Sequence, residues 1–294
     1  MVMTSKNILF RVFRKLNVLQ YINATKRISF GNSILSIPVI NELGYANLFI
    51  KPNWIYALVN ELISVDGAGF VDVGANIGQT LMSVKAIDRP IKYIGFEPNV
   101  ACCYYLKSLI DANGFTDCKV YNLALSNAMK VAFLETNVKA DPTGSVVTDL
   151  RPSFYSRRES VFALEYDRLL IDTTVQCVKI DVEGGELEAL TGMRNLISRN
   201  RPYIICEILD SFSDNVLSLT QQRAEQVCVF LKEQDYSIIQ LVQNDKATRI
   251  VSFNEIDLIK IKQWDNDSLK FNDYIFFPTK SHKFIKEILK KICS

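Results

Sequence analysis

Phe70-Val71-Asp72-Val73-Gly74-Ala75-Asn76-Ile77-Gly78 is a short apolar run that carries an acid and ends in a turn bounded by two glycines. Branched and aromatic residues suit a strand, and glycine suits a turn whose backbone must bend tightly and admit a ligand without Cβ interference. Helical spacing of apolar residues follows in QTLMSVKAI, residues 79–87, so the stretch reads as strand, turn and helix. The order Asp-x-Gly-x-x-x-Gly is not the Gly-x-Gly-x-x-Gly of dinucleotide binders, which points away from NAD. Taken alone, such a turn is equally compatible with a purely structural role.

The same alternation continues outward. YIGFEP, VACCYYLKSLIDANG and KVYNLALS follow, and after residue 174 come VQCVKIDV, GELEALTGMRNLISRN and PYIICEIL. Strands alternating with helices predict an α/β fold with a largely parallel sheet, and the continuous apolar runs predict strands covered on both faces. A helix near Pro52 to Leu62 precedes the series, and a helix at roughly 214–235, the strand YSIIQLV, a polar stretch through residue 272 and the strand DYIFFP complete it. KVAFLET, residues 130–136, reads as an edge strand. Residues 137–160, with Pro142, Gly144, Pro152 and a Ser/Arg cluster, read as a lid or substrate loop.

Two further signals sit where strands meet helices. Glu97, in Gly95-Phe96-Glu97-Pro98-Asn99, stands 23 residues after Gly74, and a carboxylate there can accept two ribose hydroxyls at the carboxyl edge of the sheet. The pair argues for a nucleoside ligand. Lys179-Ile180-Asp181-Val182-Glu183-Gly184-Gly185-Glu186 brings acids to the same edge. Helix capping is an alternative for Glu183 and Glu186, because acids favour the first turn, and a site role is favoured more firmly for Asp181.

VDVGANIG, FEPN, NLALS and VKIDVEGGELEAL, in this order and spacing over roughly residues 70–210, resemble the FkbM family of S-adenosylmethionine-dependent methyltransferases. The resemblance implies a Rossmann-like class I methyltransferase fold: a mostly parallel seven-stranded sheet, helices on both faces, and an antiparallel last strand supplied by DYIFFP. It implies that Asp72, Gly74 and Gly78 shape the cofactor turn and that Asn76 and Ile77 line it. Glu97 would hold the ribose hydroxyls with Pro98 and Asn99 nearby, and Ala124, Leu125 and Ser126 match the adenine side. Asn127 stands where the family more often shows an acid, and Gly185 where many relatives carry Ala. Asp181 would lie beside the methionine moiety and the methyl group.

The implied chemistry is in-line methyl transfer to a substrate oxygen, in which alignment supplies most of the catalysis and a base removes the hydroxyl proton. Asp181 and Glu183 are the candidate bases. The acceptor class, a hydroxyl on a sugar, glycan precursor or related small metabolite within polysaccharide biosynthesis, comes from the resemblance only. The sole histidine, His282, lies in a lysine-rich helix and reads as surface or structural. No Cys/His/Asp grouping has metal-ligand spacing, so no metal is expected. An NAD-type oxidoreductase is disfavoured by the turn. The remaining alternative is a catalytically silent interaction module docking at a membrane or glycan-assembly complex.

Of 294 residues 48% are hydrophobic and 22% charged, which excludes disorder and a many-span membrane protein. Residues 1–41 carry six bases and no acid, and residues 280–294 five Lys and one Glu, so basic ends flank a body with 31 acids against 23 bases. That body makes nucleic acid a poor partner. Both ends read as amphipathic basic helices, packed on the core or touching an anionic inner-membrane surface peripherally. Arg11, Arg14 and Lys15 interrupt any signal-peptide core, no run reaches the ~18 apolar residues of a spanning helix, and the seven cysteines form no Cys-x-x-Cys pair. A cytoplasmic location with reduced thiols is the expectation. The organisation reads as an extension over residues 1–60, a methyltransferase domain over 61–280 and a basic helix over 281–294, with oligomeric state open.

Overall fold

The computed structural model describes residues 15–16, 18–137, 144, 146, 150 and 156–293. Most of the basic helix expected over the first twenty residues lies outside this set, as does most of the loop expected between 137 and 156.

In chain order, β1 (Asn23–Phe30) and β2 (Ser33–Ile40) form a hairpin, followed by α1 (Trp54–Leu62), β3 (Gly69–Val73), α2 (Gln79–Lys85), β4 (Lys92–Phe96), α3 (Val100–Asn113) and β5 (Cys118–Tyr121). Then come β6 (Ala124–Leu125), β7 (Lys130–Thr136), β8 (Arg157–Leu164), β9 (Val175–Ile180), α4 (Glu186–Gly192), α5 (Arg194–Asn200) and β10 (Tyr203–Glu207). The chain continues through α6 (Asp214–Lys232), β11 (Tyr236–Gln243), β12 (Ile250–Ile256), β13 (Asp273–Pro278) and α7 (His282–Cys293).

The main sheet has the order β12-β11-β13-β10-β9-β3-β4-β5. β10, β9, β3, β4 and β5 are mutually parallel, and β13, the DYIFFP strand, runs antiparallel between β10 and β11. This is the expected α/β architecture with one strand added, for β12 makes eight. β12 lies inside the stretch read as polar because it is an edge strand: only Ile250 is buried, and residues such as Ser252 and Glu255 face outward. β6, β7 and β8 form a separate three-stranded sheet. KVAFLET is thus an edge strand, but of this second sheet, and residues 157–160, read as part of the loop, supply the exposed first half of β8.

Alternation along the strands divides the core. Phe70, Tyr93, Cys177, Ile205 and Ile275 face one side, where α1, α2, α3 and α7 cover them. Val71, Val73, Ile94, Phe96, Val178 and Ile204 face the other, against α4, α5 and α6. The helix read as continuous over residues 185–200 divides at Gly192, where a Cβ would stand 2.0 Å from the Ser126 carbonyl oxygen, so the close approach of this turn to the β6 segment requires glycine.

α7 packs the basic C-terminal end on the core. Its apolar stripe, Ile285, Ile288 and Leu289, is buried in the core, while Lys286 pairs with Glu255 and Lys291 with Glu61. His282 also contacts Glu255, at 2.6 Å, and its ring stacks near Phe277. Leu289→Ala should therefore lower unfolding stability by about 3 kcal/mol, and Lys290→Ala, at an exposed position, by less than about 0.5 kcal/mol. Denaturant titration of both variants checks the difference. No helix among the described residues is long and apolar enough to cross a membrane, and none of the seven cysteines forms a disulfide.

Candidate active site

The carboxyl ends of β3, β4 and β9 lie side by side, and each ends in a turn held by main-chain hydrogen bonds across the neighbouring strand. The N–H groups of Gly74 and Ala75 donate to the Phe96 carbonyl at 3.0 Å each, and that of Asp181 donates to the Val73 carbonyl at 3.0 Å. Gly74 has φ +84°, and a Cβ there would lie 1.9 Å from the Asp181 carbonyl oxygen. Glycine is required by backbone conformation and by the packing of two site loops against each other.

Glu97 is buried where β4 ends, and each carboxylate oxygen accepts one main-chain hydrogen bond: Oε2 from Asn76 N and Oε1 from Asn99 N, both at 2.7 Å. The first bond fixes Asn76 in the left-handed region at φ +47° and so sets the shape of the turn. The second is followed by Asn99 capping α3, its side chain accepting from Ala101 N and Cys102 N. Burial pushes the Glu97 carboxyl up to about 7, against the pull of these two donors. Lone pairs remain on both oxygens for further donors.

A cavity of about 190 Å³ opens over these turns. Gly74, Asn76, Glu97, Pro98 and Asn99 line it, Leu123, Ala124 and Leu125 give an apolar wall, and Asp181 and Glu183 complete the rim. Several sequence-derived residues take other places. Ile77 packs in the core and presents its carbonyl to Asn47, Gly78 begins α2 against Leu106 and Leu109, and Ser126 is tied to the Leu164 carbonyl. Asp72 lies beneath the cavity, fully buried, and accepts from the Tyr93 hydroxyl. Burial raises it to about 6. These four do not line the cavity because their side chains or backbone are consumed in holding its floor.

Asp181 is joined to Lys179 at 2.8 Å. Burial alone would raise its carboxyl, but the Lys179 ammonium and a hydrogen bond with Glu207 outweigh burial and hold it below the usual carboxylate range. Glu183 adopts φ +55° in the loop that follows. Glu186, the first residue of α4, accepts from Gly184 N at 2.8 Å in the preceding loop, and burial pushes its carboxyl up to about 7.

Lys179, Glu207 and Asn53 belong to the site region without having been singled out in the sequence. Lys179 lines the cavity from within a strand that is otherwise apolar, and a lone lysine in VQCVKI is the signal that could have found it. Glu207 interrupts IICEIL in the same way. Asn53 caps α1 through Ile55 N and Tyr56 N and lines the cavity, and nothing in its local pattern separates it from an ordinary cap. Among the described residues no grouping of His, Cys, Asp and Glu is suited to a metal ion.

The donor set fits S-adenosylmethionine. A buried carboxylate with spare lone pairs matches a vicinal diol, an apolar wall matches a purine, and the Asp181 and Glu183 carboxyls match an ammonium and a sulfonium. The model of the methyltransferase FkbM domain matches residues 72–238, more than half of the chain. No curated protein matches. Among solved structures, methyltransferase FkbM from Methylobacillus flagellatus aligns at 17% identity and TM-score 0.45, over 76% of this chain and 47% of that one, so the present chain spans about half its length. A SAM-dependent methyltransferase from Aquifex aeolicus aligns at 12% identity and TM-score 0.40, over 77% and 89% of the two chains. M. jannaschii TYW2, in complex with AdoMet, aligns at 10% identity and TM-score 0.39, over 87% and 86%. On the domain match over residues 72–238, the chain belongs to the FkbM methyltransferase family, whose methyl donor is S-adenosylmethionine.

Proposed function

We propose that this protein transfers the methyl group of S-adenosylmethionine to a hydroxyl of a sugar, glycan precursor or related small metabolite. The observation that carries the reading is that one cavity is lined both by the Glu97 carboxyl, whose two oxygens each accept one main-chain hydrogen bond, and by Asp181, paired with Lys179 at 2.8 Å. When bound, the cofactor supplies an electrophilic methyl group on a sulfonium. The chain's own contribution is placement and charge: the Gly74–Asn76 turn and Glu97 hold the nucleoside, the wall at residues 123–125 covers the adenine, and Asp181 is placed to accept the acceptor's proton. Glu183, on the same rim, orients the acceptor. Contact with an anionic surface through the C-terminal end would be electrostatic, since the apolar stripe of α7 is already buried.

The test is incubation with methyl-labelled S-adenosylmethionine and a panel of hydroxylated sugars. Label is expected in an alkali-stable ether, and label on nitrogen or carbon instead would overturn the oxygen assignment.

Glu97 also sets a pH dependence. A carboxyl raised to about 7 is partly protonated in the free protein, whereas two hydroxyl donors require its ionised form, so binding releases a proton below pH 7. Affinity for S-adenosylhomocysteine should rise as pH increases from about 6 to about 8, by up to about tenfold. At pH about 6.5 the calorimetric heat should depend on the buffer's ionisation enthalpy. A flat profile would show that Glu97 is already ionised.

A further inference from the structure

Strand register gathers four carboxyl groups and one ammonium on one face of the sheet at its carboxyl edge. Asp72 lies opposite Lys179 across β3 and β9, Glu207 opposite Asp273 across β10 and β13, and Ile205, two residues before Glu207, opposite Lys179. Cross-strand partners share a face, so these groups meet below the cavity. Gln243 from β11 donates to Asp273, and Tyr93 from β4 to Asp72.

The β9–β10 register sets Cys206 opposite Ile180, so Glu207 and Asp181, the next residue on each chain segment, stand side by side at the sheet edge, each carboxyl the other's hydrogen-bond partner. Ionised carboxylates are acceptors only, so one of the two must carry a proton. The Lys179 ammonium, 2.8 Å from Asp181 Oδ2, selects Asp181 as the ionised member. Around Glu207 are burial and the further acids Asp181, Asp273 and Glu183, all of which favour its neutral form. Glu207 does not line the cavity, so whatever it does for the reaction it does through Asp181.

We propose that Glu207 is a neutral carboxylic acid that donates its proton in a hydrogen bond to Asp181, and that with Lys179 it is a positioning residue, holding the Asp181 carboxylate ionised and aimed at the acceptor hydroxyl. This rests on the methyltransferase reading for its purpose and on register and hydrogen bonding for its substance. Its effect on charge is direct. With Glu207 neutral, the Lys179 ammonium faces at most the three carboxylates of Asp72, Asp181 and Asp273, whereas full ionisation would set four negative charges around it.

The test is infrared spectroscopy of the full chain carrying carboxyl-labelled glutamate or, separately, labelled aspartate, at pH about 9, above the range in which Glu97 and Glu186 ionise. A protonated-carboxyl band that shifts with labelled glutamate and not with labelled aspartate is expected. Glu207→Gln, which keeps a neutral donor, should abolish the band and bind S-adenosylhomocysteine within about twofold of wild type, while Glu207→Ala should lose about tenfold. The labelled wild-type spectrum decides the protonation state even where a variant fails to fold. Absence of a glutamate-sensitive band, or a Gln variant no better than the Ala variant, overturns the proposal. A band in a protein that binds neither S-adenosylmethionine nor S-adenosylhomocysteine would instead overturn the methyltransferase reading.

Discussion

Glu97→Ala should weaken S-adenosylhomocysteine binding by about 100-fold, or roughly 3 kcal/mol, with the fold retained. The carboxylate sits at the end of β4 with one main-chain donor on each oxygen, Asn76 N and Asn99 N, both at 2.7 Å. Truncation removes the proposed acceptor for two ribose hydroxyls, and it also frees the Asn76 N–H that fixes the turn. Glu97→Gln should be nearly as severe. A carboxamide can accept from only one of the two N–H groups and sets its own NH2 against the other. Calorimetric titration of both variants, with circular dichroism to show that they remain folded, checks the expectation. A loss of less than about threefold in the Ala variant would mean that Glu97 is a structural brace for the turn and not a ligand-holding residue.

Gly74→Ala should produce the largest loss of stability of any single methyl group added to the site. The new Cβ would lie 1.9 Å from the Asp181 carbonyl oxygen, at a residue whose φ is +84°. A backbone atom cannot swing away as a side chain can, so β3 and β9 must separate at the point where the cavity floor forms. Conformational strain and overpacking together cost about 4 kcal/mol, a fall in melting temperature of roughly 10 °C for a chain of this size. Gly67→Ala is the matched control: its φ is also positive, +75°, but a Cβ there meets nothing within 4 Å, so only the conformational cost of about 1 kcal/mol remains. Equal effects of the two substitutions would show that crowding at Gly74 is relieved without cost.

The strands covered on both faces were the most legible part of the fold, because burial on two sides leaves continuous runs such as VQCVKI and YIICEI. One-sided elements were not. β12 and the first half of β8 present mostly polar residues to solvent, so their alternation is lost in a polar background. The division of one long helix at Gly192 depends on a contact with the Ser126 carbonyl, 66 residues away in sequence, which no local pattern reports.

The candidate site divides in the same way. Gly74, Asn76, Glu97 and Asp181 were legible because the chemistry of a tight turn and of carboxylates at a sheet edge is written in adjacent residues. Ile77, Asp72, Gly78 and Ser126 lie near in sequence but serve the floor, since a turn has an inside and an outside that spacing does not distinguish. Lys179 and Glu207 carried a signal, a charge within an apolar strand. Their relation could be seen only once β9 and β10 were paired.

The most direct measurement is calorimetric titration of the wild-type protein with S-adenosylmethionine, S-adenosylhomocysteine and NADH under identical conditions. Saturable binding of both adenosyl ligands, with none of NADH, is the predicted result. Binding of NADH alone, or no binding by protein shown to be folded, would contradict the assignment of this cavity to a methyl donor.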